Sequence, residues 1–109
     1  MQKTRHKRLK ALIRKLDVNP ERYDKDVEED LRPYLSGKKE IQRYAAVTLH
    51  HYDEGGFKHF IYPAYDTRRG AQDRAVEFAH DDIFAEGPVM VVNLDTGATY
   101  TAKTKWVKE

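Results

Sequence analysis

The sequence predicts a small α+β domain in which an N-terminal helical hairpin precedes a ββαββ unit. Apolar residues recur at helical spacing within the first 36 residues, whereas residues 44–65 are rich in the Tyr, Val, Thr, Phe and Ile residues that favour strands. A further helical stretch and two more strand-like segments follow. This order predicts a largely antiparallel sheet packed on the third helix. We expect a single domain over residues 1–109, with the hairpin in 1–36 and the ββαββ core in 44–107.

The first helix is amphipathic, since four apolar residues recur at positions i, i+3, i+4 and i+7: Leu9, Leu12, Ile13 and Leu16. Asn19-Pro20-Glu21 is typical of a helix start, with an N-capping Asn and a Pro in the first turn. Pro33 and Ser36-Gly37 indicate where the second helix ends. The short connection between the two helices predicts an αα-hairpin.

The ββαββ core begins with predicted strands at 44–52 and 57–65, joined by the turn sequence Asp53-Glu54-Gly55-Gly56. Asp66 or Thr67 can cap the third helix, whose buried stripe we predict to be Ala71, Ala75, Phe78, Ala79 and Ile83. Gly87-Pro88 is predicted to end this helix. A second hairpin is then expected from strands at 89–94 and 98–107.

The turn of that second hairpin, Asp95-Thr96-Gly97, resembles the active-site loop of aspartic proteases. A dimeric protease of the retroviral type also needs a later apolar-apolar-Gly segment, and the twelve residues after Gly97 contain no glycine. We interpret the motif as a three-residue hairpin loop with Gly97 at positive φ in a G1 bulge. That loop length pairs Val92 with Tyr100. It places six residues on one sheet face: Met90, Val92, Leu94, Tyr100, Ala102 and Trp106.

Composition limits the functional classes. The chain has no cysteine, which excludes disulfides and thiolate metal sites. It has no apolar run near the ~20 residues of a membrane span and no apolar core behind its basic N-terminus. We therefore expect a cytoplasmic protein without a membrane partner, and we expect no cofactor.

Positive charge is concentrated in the first helix. Residues 1–16 carry seven Lys and Arg residues and no acid, residues 17–36 have a net charge of −4, and the rest of the chain is nearly balanced. Six of the cations lie opposite or beside the apolar stripe: Lys3, Lys7, Arg8, Lys10, Arg14 and Lys15. This face can contact a nucleic-acid backbone, helped by Arg68 and Arg69 at the start of the third helix. Alternatively, it pairs with the acidic second helix.

The first hairpin carries a candidate interaction face. If Val47 and Leu49 pack with Phe60 and Tyr62 under the third helix, the opposite face presents four aromatic residues: Tyr44, Tyr52, Phe57 and Tyr65. Such a face can stack single-stranded bases or bind a protein or a second copy of the chain. We favour a covered face, because the apolar stripe of the first helix must itself be buried.

The same hairpin holds His50, His51 and His59, which are weak candidates for a metal site. If Tyr52 pairs with Phe57, His50 lies opposite His59, and a register shifted by one residue puts His51 there instead. A metal site needs further ligands in either register. No catalytic triad, Cys/His pair or phosphate loop is present in the sequence. We therefore expect a non-enzymatic binding protein that contacts nucleic acid. A protein-interaction or regulatory module is the alternative, and a metal-dependent enzyme is the most distant one.

Overall fold

The computed structural model describes residues 2–18, 31–52, 56–81, 85–102 and 106–108. The elements are α1 (Gln2–Leu16), α2 (Arg32–Leu35), β1 (Tyr44–Tyr52), β2 (Gly56–Tyr65), α3 (Arg68–Asp81), β3 (Ala85–Asn93), β4 (Thr99–Ala102) and β5 (Trp106–Lys108). The α+β class is therefore confirmed. The predicted helical hairpin depends on residues 19–30, which lie outside the described residues. After them the structure has the short α2, with Pro33 in its first turn.

The strands form one antiparallel sheet in the order β2-β1-β3-β4-β5. The helix α3 follows β2 and precedes β3, and these two strands flank β1 on either side. The prediction of one strand over 98–107 was wrong, because this region forms two short antiparallel strands with Ala102 opposite Trp106.

Two prolines lie in strands, and both coincide with irregular pairing. Pro63 falls where the β1–β2 register shifts, and Pro88 falls where the β1–β3 register shifts. Proline has no N–H for the ladder and is therefore confined to edges and bulges. The prediction that Gly87-Pro88 ends α3 was therefore wrong. The helix ends at Asp81, and this dipeptide lies inside β3.

The sheet is covered on both faces. On one face Leu9 and Leu12 of α1 pack against five residues of the sheet and its loop: Ala45, Val47, Ile61, Val92 and Leu94. On the other face Ala71 and Ala75 of α3 pack against Ala46, Phe60, Tyr62 and Val91. The predicted helical stripes are confirmed for these four helix residues. Phe78, Ala79 and Ile83 lie outside the side chains that the structure describes.

The prediction of which residues of the first hairpin face α3 was partly wrong. Phe60 and Tyr62 do lie under α3, but Val47 faces α1 together with Ile61. In the observed register Val47 is opposite Ile61, so the residues that share a face with Phe60 and Tyr62 are Thr48 and Ala46. A shift of one residue in register exchanges the two faces of a strand.

The second hairpin shows the same kind of difference. Val92 pairs with Thr99, and Val91 pairs with Tyr100, so the loop contains four residues, from 94 to 97. Tyr100 consequently packs on the α3 side with Val91, and it does not share a face with Val92. The loop is one residue longer than predicted because Leu94 leaves the ladder and donates its N–H to the carbonyl oxygen of Arg43 at 2.7 Å.

Candidate nucleic-acid interface

Arg5 anchors α1 to the end of the sheet. This residue is 8% exposed and lies on the same side of the helix as Leu9 and Leu12. Its Nε donates to Oδ1 of Asp95 at 2.8 Å, and its Nη2 donates to Oδ2 at 3.1 Å. Its Nη1 donates to the carbonyl oxygen of Ile41 at 3.0 Å. A bidentate pair of this kind fixes both the distance and the orientation of its partners.

Asp95 lies in the β3–β4 loop, and the side chain of Asn93 closes that loop. The Asn93 Oδ1 accepts N–H bonds from Asp95 at 2.9 Å and from Thr96 at 3.2 Å. Gly97 adopts φ +84°, a left-handed conformation that glycine enters without the penalty of a Cβ. The prediction that Asp95-Thr96-Gly97 forms a hairpin turn with Gly97 at positive φ is confirmed.

The carboxylate of Asp95 is held in its ionised form. Its hydrogen bonds with Arg5 lower the pKa of Asp95 below the ordinary value of 3.8, and the charges of Arg5 and Arg43 act in the same direction. The same contact raises the pKa of Arg5. Arg43 adds a third N–H bond, from Nε to Oδ2 at 3.2 Å, although its own side chain is 49% exposed. Both Asp95 oxygens thus accept hydrogen bonds from guanidinium groups. The cluster links α1, the β3–β4 loop and the segment before β1.

The six predicted backbone-contacting cations of α1 are all exposed: Lys3, Lys7, Arg8, Lys10, Arg14 and Lys15. Within the part of the chain that the structure describes, none of the salt bridges includes any of them. We call this surface the basic face. From Lys3 to Arg14 it extends about 16 Å along the helix, given a rise of about 1.5 Å per residue.

Arg8 extends the basic face toward the β3–β4 loop. Its Nη1 lies 2.7 Å from the position that a Cβ on Gly97 would occupy, so the guanidinium crosses directly over the glycine backbone. Beside it, a shallow groove of about 200 Å³ separates α1 from the hairpin, with Lys15 on its helical side and Val92 and Thr99 on the strand side. The absence of a side chain at Gly97 is what leaves room for Arg8 there.

Arg68 and Arg69 do not lie on the basic face. They open α3, which packs on the opposite face of the sheet from α1. The guanidinium of Arg68 lies 4.8 Å from the ring centroid of Tyr100, and Arg69 is 4.0 Å from the carboxylate of Asp73. The hydroxyl of Thr67 accepts the N–H of Gly70 at 3.1 Å, so Thr67 provides a capping contact at this helix start.

The aromatic face is not assembled as predicted. Tyr44 and Tyr65 are half-buried and pack against the core cluster under α3, because the observed register places them on that side. The side chains of Tyr52 and Phe57 lie outside the described part of the structure.

The histidine pairing follows a different register from the predicted one. His59 is opposite Leu49, and His50 is opposite Lys58, so no two of the three histidines are direct cross-strand partners. The side chains of His50 and His51 lie outside the described part of the structure. Among the residues that are described, no group of three or more His, Cys, Asp or Glu side chains is arranged to hold a metal ion.

Arg5 and Arg43 were missed as interacting residues by the sequence analysis. One signal for Arg5 was present, since it stands four residues before Leu9 and therefore belongs to the inward stripe. A cation in such a stripe indicates a buried partner. Nothing in the local sequence points to Asp95 as that partner, ninety residues away.

No protein-family model, curated protein or solved structure is detectably similar to this chain. None of the helices among the described residues is both long enough and apolar enough to span a bilayer. The functional assignment therefore depends on the arrangement of the chain's own residues.

Proposed function

We propose that this protein is a small nucleic-acid-binding protein that contacts the phosphate backbone through the basic face of α1. The observation that carries the proposal is the way in which α1 packs on the sheet. Arg5, Leu9 and Leu12 are turned into the molecule, and the six remaining Lys and Arg residues of the helix point outward. Because α1 is already packed on the sheet, the helix itself does not have to fold when it presents these cations to a polyanion.

The chemistry of the basic face favours backbone contact over base recognition. Lysine acts as a point charge toward phosphate, and four of the six cations are lysines. Contacts to phosphate position a protein on nucleic acid but carry no sequence information by themselves. We therefore expect similar affinities for unrelated sequences of the same length and strand number.

The salt dependence of binding provides the test. If about four of the six cations contact phosphates of duplex DNA, the slope of log K against log salt is about −3.6. The affinity then falls about 100-fold between roughly 50 and 200 mM salt. Each of Lys7→Gln, Lys10→Gln and Arg14→Gln should reduce the magnitude of this slope by about 0.9. Fluorescence anisotropy with labelled duplex DNA, single-stranded DNA and RNA measures these quantities.

Lys38→Gln is the matched control for these variants. It removes the same charge from an exposed lysine that does not belong to α1, and its slope should equal that of the unmodified chain. The proposal is wrong if no binding is detected at about 50 mM salt, where backbone contacts are strongest. It is also wrong if Lys38→Gln changes the slope as much as the α1 variants do.

A protein-interaction module is the alternative function, and one observation favours it. The ten-residue β2 is the terminal strand of the described sheet, and an edge strand can pair with another chain. A dimer detected by light scattering, together with no salt-dependent binding of nucleic acid, would favour this alternative.

A further inference from the structure

A channel runs along α1 beside the β3–β4 hairpin and is made of two adjoining depressions. One of them, of about 360 Å³, is lined among the described residues by Thr4, Lys7, Arg8 and Ala11. The other is the groove of about 200 Å³ between α1 and the hairpin, and Arg8 and Ala11 line it as well. We call the two together the α1 channel. From Thr4 to Lys15 it extends about 16 Å along the helix, given a rise of about 1.5 Å per residue.

The cations of the α1 channel are free to contact a ligand. Lys7, Arg8 and Lys15 are exposed, and within the described part of the chain no hydrogen bond or ion pair engages their side chains. Thr4 and Ala11, which lie between Lys7 and Arg8 on the helix surface, are small and exposed as well. The described residues that line the two depressions include no Asp or Glu. The channel therefore attracts an anionic chain along its length.

Arg8 lines both depressions, and its guanidinium lies over the backbone of the β3–β4 loop. Its Nη1 is 2.7 Å from the position that a Cβ on Gly97 would occupy. Lys15 follows seven residues later, so the two cations share a side of α1 and are about 10.5 Å apart along its axis. Three phosphate spacings of a stacked strand, at about 3.4 Å each, cover about 10 Å. Arg8 and Lys15 are therefore spaced to contact every third phosphate of one strand.

The hairpin supplies the wall opposite these cations. Met90 and Thr99 line the channel and are half-buried, whereas Leu12 and Val92 are buried and lie at its floor. Met90 brings a flexible apolar side chain that adapts to flat groups, and the Thr99 hydroxyl can donate or accept a hydrogen bond. Nucleobases offer an apolar face and polar edges when they are unpaired, whereas a duplex keeps its bases stacked inside. This wall therefore suits the bases of a single strand.

We infer that the α1 channel binds an extended single strand of nucleic acid. Its phosphates lie along Lys7, Arg8 and Lys15, and its bases lie on the side of Met90 and Thr99. The inference rests on the proposed function and specifies it, since these three cations belong to the basic face. A positively charged groove that follows the backbone is how proteins hold single strands without reading their sequence. A duplex meets the same cations only through its phosphates and gains nothing from the hairpin wall.

Fluorescence anisotropy with labelled oligothymidylates, which do not pair with themselves, tests the inference. At about 50 mM salt, a thymidylate strand of roughly 12 nucleotides should bind at least about threefold more tightly than a duplex of the same length, although the duplex has the higher charge density. The affinity should rise steeply up to about five nucleotides, because about five phosphates fit along about 16 Å, and only slightly beyond that length. An acidic peptide with as many charges should compete at least about tenfold less well, because it has no bases to place on the hairpin wall.

Filling the channel without changing its charge separates this site from the rest of the basic face. Ala11→Leu places a larger side chain beside Arg8 and should weaken binding of the thymidylate strand about tenfold, while binding of the duplex changes less than about twofold. Ala64→Leu is the matched control, because it makes the same substitution at an exposed position of β2 that lines neither depression, and both affinities should stay unchanged. Circular dichroism and urea unfolding check the fold of each variant. If Ala11→Leu disturbs the fold, Thr4→Leu replaces it with the same expected result.

Three outcomes overturn the inference. The first is a preference for the thymidylate strand over the duplex of less than about threefold. The second is an equal effect of Ala11→Leu and Ala64→Leu on binding of the strand. The third is an acidic peptide that competes as well as a thymidylate strand of equal charge. The proposed function has its own test in the duplex salt slopes of the Lys7, Lys10 and Arg14 variants, and it stands if those slopes change while Ala11→Leu has no effect. Failure of the proposed function is seen instead as no binding of duplex or strand.

Discussion

Replacing Asp95 by asparagine should destabilise the protein strongly for the size of the change. The substitution keeps the shape of the side chain and removes the negative charge that accepts two N–H bonds from Arg5. The side chains of the pair are only 10% and 17% exposed, so the Arg5 charge is left in a mostly buried site. Breaking a buried pair costs about 3–5 kcal/mol. Arg5 keeps its bond to Ile41, and we therefore expect a loss of about 2–4 kcal/mol in the free energy of unfolding.

The effect of this substitution should depend on pH. The folded-state pKa of Asp95 is lowered, so the ion pair contributes its full stabilisation above the ordinary carboxyl pKa of 3.8 and loses it as the pH falls through the folded-state value. The difference in stability between the unmodified chain and Asp95→Asn should be largest at neutral pH and should shrink in acid. Urea unfolding followed by circular dichroism at several pH values measures it.

Arg43→Gln is the control for losing an exposed salt bridge to the same carboxylate. It also breaks a salt bridge to Asp95, but the Arg43 side chain is half exposed, and such pairs contribute about 0–1 kcal/mol. A double-mutant cycle of Arg5→Gln with Asp95→Asn should give a coupling energy of about 1–3 kcal/mol. The reasoning is refuted if Asp95→Asn costs less than about 1 kcal/mol, or if its cost is the same in acid as at neutral pH.

Two further predictions concern the backbone and the core. Gly97→Ala and Gly37→Ala should each cost about 1 kcal/mol, since both glycines have positive φ. The new Cβ at position 97 meets Nη1 of Arg8 at 2.7 Å, but a guanidinium can swing aside; a cost several times that of Gly37→Ala would show that Arg8 is held in place. Leu9→Ala should cost about 2–5 kcal/mol because Leu9 is fully buried between α1 and the sheet. Ile13→Ala, at a half-buried position, should cost clearly less, and equal costs in urea titrations would contradict the packing of α1 on its Leu9 side.

The local pattern of the sequence was sufficient to predict several elements of the fold. The stripe of Leu9 and Leu12, the extent of β1 and the existence of two hairpins all follow from local spacing and local turn residues. The register of both hairpins was wrong by one residue. In the second hairpin the reason is non-local, because Leu94 gives its N–H to Arg43, just before β1, and is thereby taken out of the β3–β4 ladder.

The candidate sites could likewise be predicted only where the local sequence determines them. Exposure of the basic residues of α1 could be predicted, because it needs only a helical wheel and one apolar stripe. The contact between the start of α1 and the segment between α2 and β1 could not be predicted. That contact depends on the amide of Gln2 reaching Ile41, thirty-nine residues away, and no local pattern specifies it.

The position of Arg5 connects the stability of the molecule with the proposed function. Of the seven cations in residues 1–16, it is the one that is turned inward, and it meets the single acid of the β3–β4 loop. With Arg43 as the second partner, the three side chains together carry a net charge of +1. The Asp95 carboxylate is therefore compensated at this end of the sheet, where Arg8 crosses Gly97. Removing the Asp95 charge should make the surface more positive while loosening the helix that presents it. We therefore expect Asp95→Asn to raise the magnitude of the salt slope only under conditions in which α1 stays folded on the sheet.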